Sequence, residues 1–179
     1  MSTWSGIRKR LEQELLCEKL RGRVQYFLTH YHAAPDEYGR FAVRLDGKEI
    51  AFANPYNDLY TNDAANRIKR ELGEARNWWE LYENDRPRYN EIFRRADIAC
   101  IEQNAMEIYH ITDAIREYLN APIHDALFSD NAAVRMFAIL DRRVGKRTLA
   151  KLSGSVAAQP EWLRPFYEVR LQAEGVREG

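Results

Sequence analysis

The segment RFAVRLDGKEIAFAN (residues 40–54) constrains the fold of this chain more than any other. Asp46-Gly47 joins two alternating runs, and both residues accept the positive φ that a type I′ hairpin turn demands. With those two residues in the loop, Val43 faces Ile50, Phe41 faces Phe52 and Arg44 faces Glu49. The aromatic pair and the opposite charges each favour that register by roughly 0.2–1 kcal/mol. Slipping the loop to Gly47-Lys48 sets Asp46 against Glu49, a like-charge pair. Upstream, Val24, Tyr26 and Leu28 alternate with Gln25, Phe27 and Thr29, the period of a further strand. The expectation is a three-stranded antiparallel sheet over about residues 23–54.

Outside the hairpin the apolar spacing is helical. Ile7, Leu11 and Leu15, with Leu16 or Cys17, mark an amphipathic helix over 3–20 that ends at Gly22. Glu12, Glu14 and Glu18 dilute its basic charge, which favours packing on the sheet over lying on a membrane. Ile68, Leu72, Ala75, Trp79 and Tyr82 predict one helix, capped by Thr61 or Asn62, with a bend at Gly73 and a stop at 84–87. Tyr89, Ile92, Phe93, Ala96 and Ala99 mark the next, and Ile108, Ile111, Ile115 and Tyr118 a third, with any break near Gln103-Asn104. Ala133, Phe137, Leu140 and Val144 define a helix capped by Ser129 or Asp130 and stopped by Gly145. A short helix follows from Arg147 or Thr148. The last, carrying Trp162, Phe166, Val169 and Ala173, opens at Pro160 or at Pro165. The fold class is therefore α+β: a small three-stranded antiparallel sheet near the N-terminus packed by helices, and a helical C-terminal two-thirds. A single compact domain over 1–179 is expected, with the N-terminal helix and β-meander at about 3–54 and the helical region at about 60–176.

Composition excludes several classes. A chain that is 45% hydrophobic, with four Trp, ten Tyr and seven Phe, can bury a substantial core and is not disordered. Its 27 basic and 27 acidic residues balance, so nothing steers the whole molecule toward nucleic acid or an anionic membrane. No apolar run approaches the ~18 residues of a membrane span. The first 23 residues lack the apolar stretch of a signal peptide, so a cytoplasmic location and no membrane partner are expected. Cys17 and Cys100 fit neither a metal finger nor a disulfide framework.

Charge is concentrated locally. Residues 131–152 carry six cations (Arg135, Arg142, Arg143, Lys146, Arg147 and Lys151) against Asp141 alone. A helix–Gly–helix element of this kind can grip a nucleic-acid backbone, with Arg142, Arg143, Lys146 and Arg147 as the contacts. Two structural readings compete with it. Cations near a helix C-terminus are stabilised by the macrodipole by about 0.3–1 kcal/mol each. In addition, residues 101–129 hold five acids (Glu102, Glu107, Asp113, Glu117 and Asp125) against Arg116, and helix packing can set the two segments against each other. Charge balance within fifty residues favours the internal or protein-partner reading.

Other constellations are weaker. His30 and His32 are two apart on a strand and share a face, so with Asp36 or Glu37 they make a candidate metal site. Glu107-x-x-His110 has the spacing used in di-iron bundles, but a single copy reads as a solvated polar face. Trp78 and Trp79 point about 100° apart on a helix. Core packing of both is the expectation, with an exposed Trp78 as the alternative binding anchor. No phosphate-cradling glycine loop and no nucleophile elbow occurs, and the acids and lysine at 46–49 sit at a hairpin tip rather than in a strand. No catalytic residue or cofactor is assigned.

Trp4-Ser5, the run 20–24 (LRGRV), the run 140–149 (LDRRVGKRTL), and Trp162 with Phe166, Tyr167, Arg170 and Leu171 together resemble a family of small uncharacterised bacterial proteins. The resemblance covers most of the chain and implies a bacterial cytoplasmic protein; it brings no catalytic residues. The functional expectation is a non-enzymatic interaction or regulatory protein whose partner is another protein. Nucleic-acid binding through 135–151 is the alternative, and a metal-dependent enzyme using His30 and His32 the second.

Overall fold

In the computed structural model, residues 3–30, 39–54 and 57–176 are described. Three strands, β1 (Val24–His30), β2 (Gly39–Leu45) and β3 (Lys48–Ala53), form an antiparallel sheet in chain order. The turn is the one its residues require: Asp46 and Gly47 both take positive φ, at 50° and 79°. Arg23 reaches back to the Asp46 carboxylate at 2.7 Å, and its pairing holds that carboxyl below the usual range.

The register matches expectation beside the turn, where Arg44 pairs with Glu49, and departs from it beyond. A bulge shifts the register between Val43 and Arg44, so Val43 pairs with Ala51 and Phe41 with Ala53, not with Ile50 and Phe52. One extra residue exchanges the faces of a strand. The bulge therefore turns the small Ala51 and Ala53 into the core beneath Phe41 and Val43. It sends Phe52 to the outer face, where the Arg40 guanidinium lies over its ring. The free edge of β3 is covered by Asn104, which donates from Nδ2 to the Ile50 carbonyl and accepts the Phe52 N–H at Oδ1.

Helix α1 (Trp4–Lys9) continues as a π-helical turn over Arg10–Leu15 and ends there, not at Gly22. The reason is backbone pairing: Cys17 N–H donates to the Leu140 carbonyl and Arg142 N–H to that of Leu15. This bridge draws residues 16–17 out of the helix. Trp4 sits edge-on to Phe41, so the helix packs on the sheet as expected.

The helix anticipated over 61–84 is two. α2 (Asp58–Glu71) closes in a Schellman motif, with Gly73 at φ 64° and Glu74 N–H returning to the Lys69 carbonyl. α3 (Trp78–Asn84) then starts afresh with a reciprocal cap between Asn77 and Glu80. α4 (Arg86–Glu102) is capped by Asp85 and α5 (Ile108–Asn120) follows, the break falling at 103–107 with Asn104 at φ 58°. Next come α6 (Ile123–Leu127), α7 (Ala132–Leu140, capped by Asn131), α8 (Lys146–Leu152) and α9 (Arg164–Ala173, with Pro165 in its first turn).

Two apolar clusters result. The larger joins the sheet's inner face to α1, α5, α7 and α9. At its centre α7 is buried on all sides except at Arg135, which accounts for its uniformly apolar sequence. Phe137 there stacks on Tyr118 and lies tilted against Tyr26. The smaller joins α2, α3 and α4 through Ala65, Ile68, Leu81, Ile92, Ala96 and Cys100. No helix among the described residues is long and apolar enough to cross a membrane.

Candidate binding surfaces

The basic block divides into two parts with different roles. α7 ends at Leu140, and Asp141 is fully buried behind it. Its carboxylate accepts the Tyr118 hydroxyl at 2.5 Å, the Arg143 N–H at 2.7 Å and the Arg143 Nη2 at 2.6 Å. Burial first, then the bond to Asp141, pushes the Tyr118 hydroxyl pKa up. Arg143 is raised by the same carboxylate. Arg135 is also spent internally, donating to the carbonyls of Ser129 and Asp130 and to Gln159. These two arginines hold the chain in place.

The remaining four behave otherwise. Arg142, Lys146, Arg147 and Lys151 are exposed, and among the described residues none makes an ion pair within 4 Å. The helix dipole accounts for Lys151 alone, which lies in the last turn of α8. Four of the five upstream acids are engaged elsewhere: Glu107 accepts from Thr61, Asp113 pairs with Arg116, Glu117 accepts from Ser129, and Asp125 lies by His124. Gly145 is not the stop of α7; it precedes α8 as its N-cap, at φ −78°. Lys146 and Arg147 therefore occupy the first turn of α8, the end at which the helix dipole disfavours cations. A local positive surface remains.

Arg170, named above only among the residues that carry the family resemblance, completes the structural part as a buried arginine. Arg170 sits in the apolar stripe of α9, 1% exposed, and donates to the carbonyl of Val144 at 2.9 Å and to Glu174 at 2.5 Å. Glu174 also accepts from Lys19 at 2.9 Å. The Lys19 bond first and that of Arg170 second lower its pKa to about 2. The signal in the sequence was a lone cation between Phe166, Tyr167, Val169 and Leu171.

On the smaller cluster the two tryptophans part. Trp78, the anchor candidate of the pair, is half-buried. Its ring packs against Tyr89 and Phe93, and its Nε1 donates to Asn66 at 3.1 Å. Trp79 is 71% exposed, contrary to the expectation that both are core. Tyr82, three residues on and so on the same stripe of α3, is also exposed, with the Arg86 guanidinium 3.4 Å from its ring centre.

The Glu-x-x-His motif is neither metal site nor solvated face. Glu107 opens α5, and its N–H donates to Nδ1 of His110, which is 2% exposed; the other ring nitrogen lies 3.1 Å from Asp97. Tyr109 donates to the same carboxylate, and burial, then that bond, raises the Tyr109 pKa. No group of three or more metal-binding side chains occurs among the described residues. His30 ends β1, while its side chain and His32 lie outside the described residues, so the proposed metal pair does too. Cys17 and Cys100 are unpaired and buried.

No curated protein and no solved structure matches the chain. A model of an uncharacterised family matches residues 3–171, nearly the whole of it. The chain belongs to the SF0329 protein family.

Proposed function

We propose that this chain is a non-enzymatic, cytoplasmic bacterial protein that binds another protein through the exposed aromatic face of α3. One observation carries the reading: Trp79 projects 71% exposed from a helix whose other side is locked by Trp78 and Leu81. Tryptophan, tyrosine and arginine dominate the energetics of protein interfaces, and Trp79 and Tyr82 of α3 with Arg86 at the start of α4 supply one of each. A rigid, pre-positioned indole gives contact area at little entropic cost on binding. The test places a photo-crosslinking amino acid at the exposed Glu83, one turn from Trp79. A discrete protein adduct is expected, lost when Trp79→Ala is added. An adduct indifferent to Trp79, or none, overturns the reading.

The second reading, nucleic-acid binding, is favoured by the unpaired cations of α8. Its contact set is Arg142, Lys146, Arg147 and Lys151, since Arg143 is committed to Asp141. Four phosphate contacts give a log–log salt slope of about −3.6. Replacing Arg147 and Lys151 by Ala should flatten that slope by about 2. Salt-independent binding contradicts this reading.

A further inference from the structure

A cleft of about 580 Å³ opens between α2 and the end of α4, on a side of the molecule defined by different residues from the Trp79 stripe. Its size is that of a small-molecule site. One wall is a single stripe of α2, in which Tyr60, Asp63, Arg67 and Arg70 succeed one another at helical spacing. Asn66 and Gln103 add side-chain amides. The Asn66 carbonyl oxygen is occupied by the Trp78 indole N–H, which leaves its two N–H groups as donors.

The order of these groups along the helix is informative. Tyr60 is 58% exposed and offers an aromatic face. Arg67 lies about 10 Å further along the axis, seven residues at the helical rise, and Arg70 one turn beyond. Among the described residues neither arginine, nor Asp63 between them and the ring, has an ion-pair partner within 4 Å. A ring platform, a carboxylate acceptor and a pair of guanidiniums in that sequence match, at the same scale, a planar base, a sugar with free hydroxyls and a phosphate. Guanidinium is suited to the phosphate because its fork of donors meets two oxygens at once.

We propose that this cleft binds a nucleoside monophosphate, with its base on Tyr60, its ribose hydroxyls on Asp63 and its phosphate on Arg67 and Arg70. The site shares no residue with the Trp79, Tyr82 and Arg86 surface or with the α8 cations, so its test stands or falls separately from theirs.

Isothermal titration of the full chain with adenosine 5′-monophosphate tests the assignment. Saturable binding with Kd of about 1 mM or tighter is expected. Adenosine and inorganic phosphate should each bind at least about tenfold more weakly, because each fills only one end of the cleft. The double variant Arg67→Ala, Arg70→Ala should weaken binding by at least about tenfold and Tyr60→Ala by several-fold, with melting temperatures unchanged. Asp63→Asn should weaken the monophosphate but not its 2′,3′-dideoxy analogue, a readout that a general loss of folding does not produce. The proposal is overturned if the monophosphate does not saturate by several millimolar, if the arginine variant binds it as well as the parent, or if inorganic phosphate alone binds equally well.

Discussion

The two apolar clusters are built from similar helices and use their polar residues in opposite ways. Around the sheet, α5, α7 and α9, charged groups are turned inward and consumed: Asp141 gathers Tyr118 and Arg143, and Arg170 joins α9 to the α7–α8 turn and to Glu174. In the α2–α4 cluster ion pairs lie at the surface, as where Arg95 pairs with Glu91. There Trp79, Tyr60 and Arg67 are left facing solvent. A buried charge that loses its partner is costly, whereas exposed pairs contribute little. The first region accordingly carries stability, and the second has the freedom to carry recognition.

The largest effect should come from breaking the first region at its polar centre. Asp141→Ala strands the Tyr118 hydroxyl and the Arg143 N–H, at a cost of about 3 kcal/mol or more. Urea unfolding should show a lower midpoint for the sheet-centred cluster, read residue by residue at Val43, Ile115 and Phe137.

Leu81→Ala sharpens the contrast. Leu81 is fully buried in the smaller cluster, so removing it should cost about 2–4 kcal/mol. The loss should be local: amides of α2, α3 and α4 exchange faster while those of β1, β2 and α7 keep their protection. Equal acceleration throughout would mean that the two clusters open as one.

Acid probes both regions. Glu74 is held near a pKa of about 2, first by its bond from Arg76, and Glu174 near about 2 by Lys19 and then Arg170. A carboxylate whose pKa is lowered in the folded state contributes stability that is fully present above its ordinary value. That contribution is lost as pH falls through the folded one. Stability should therefore decline from about pH 4.5 toward pH 2. Glu74→Gln should remove part of this pH dependence at α2–α4 and Glu174→Gln part of it at α9, read by exchange at each location.

The smallest effect on stability belongs to Trp79→Ala. A residue that is 71% exposed should change unfolding free energy by less than about 0.5 kcal/mol when truncated, even as the crosslinked adduct is lost. A large destabilisation would make Trp79 a structural residue and remove the basis of the interface.

Much of this architecture was legible because local chemistry decided it. Asp46-Gly47 dictated its turn, and Arg44 opposite Glu49 set the register next to it. The bulge at Ile50 was not legible, since it answers a demand from outside the hairpin: small residues are needed beneath Phe41 and Val43. Gly73 was read as a bend because apolar spacing continues across it; only the returning Glu74 N–H makes it an end. In the run 140–149 a charged block looked uniform because burial of Asp141 depends on where Tyr118 and residues 15–17 arrive. Trp78 and Trp79 were indistinguishable in the sequence, as adjacent helical positions differ only in which neighbour they meet. His110 was legible as a spacing but not as a cap, which needs Asp97 from another helix.

The sheet-centred cluster and the α2–α4 cluster should behave as separate units of stability. Native-state hydrogen exchange on the unmodified chain, followed residue by residue in low concentrations of denaturant, tests it directly. Amides of Ile68, Leu81 and Ile92 should exchange through an opening distinct from, and of lower free energy than, that of Val43, Ile115 and Phe137. A single common opening energy for all six would contradict the account.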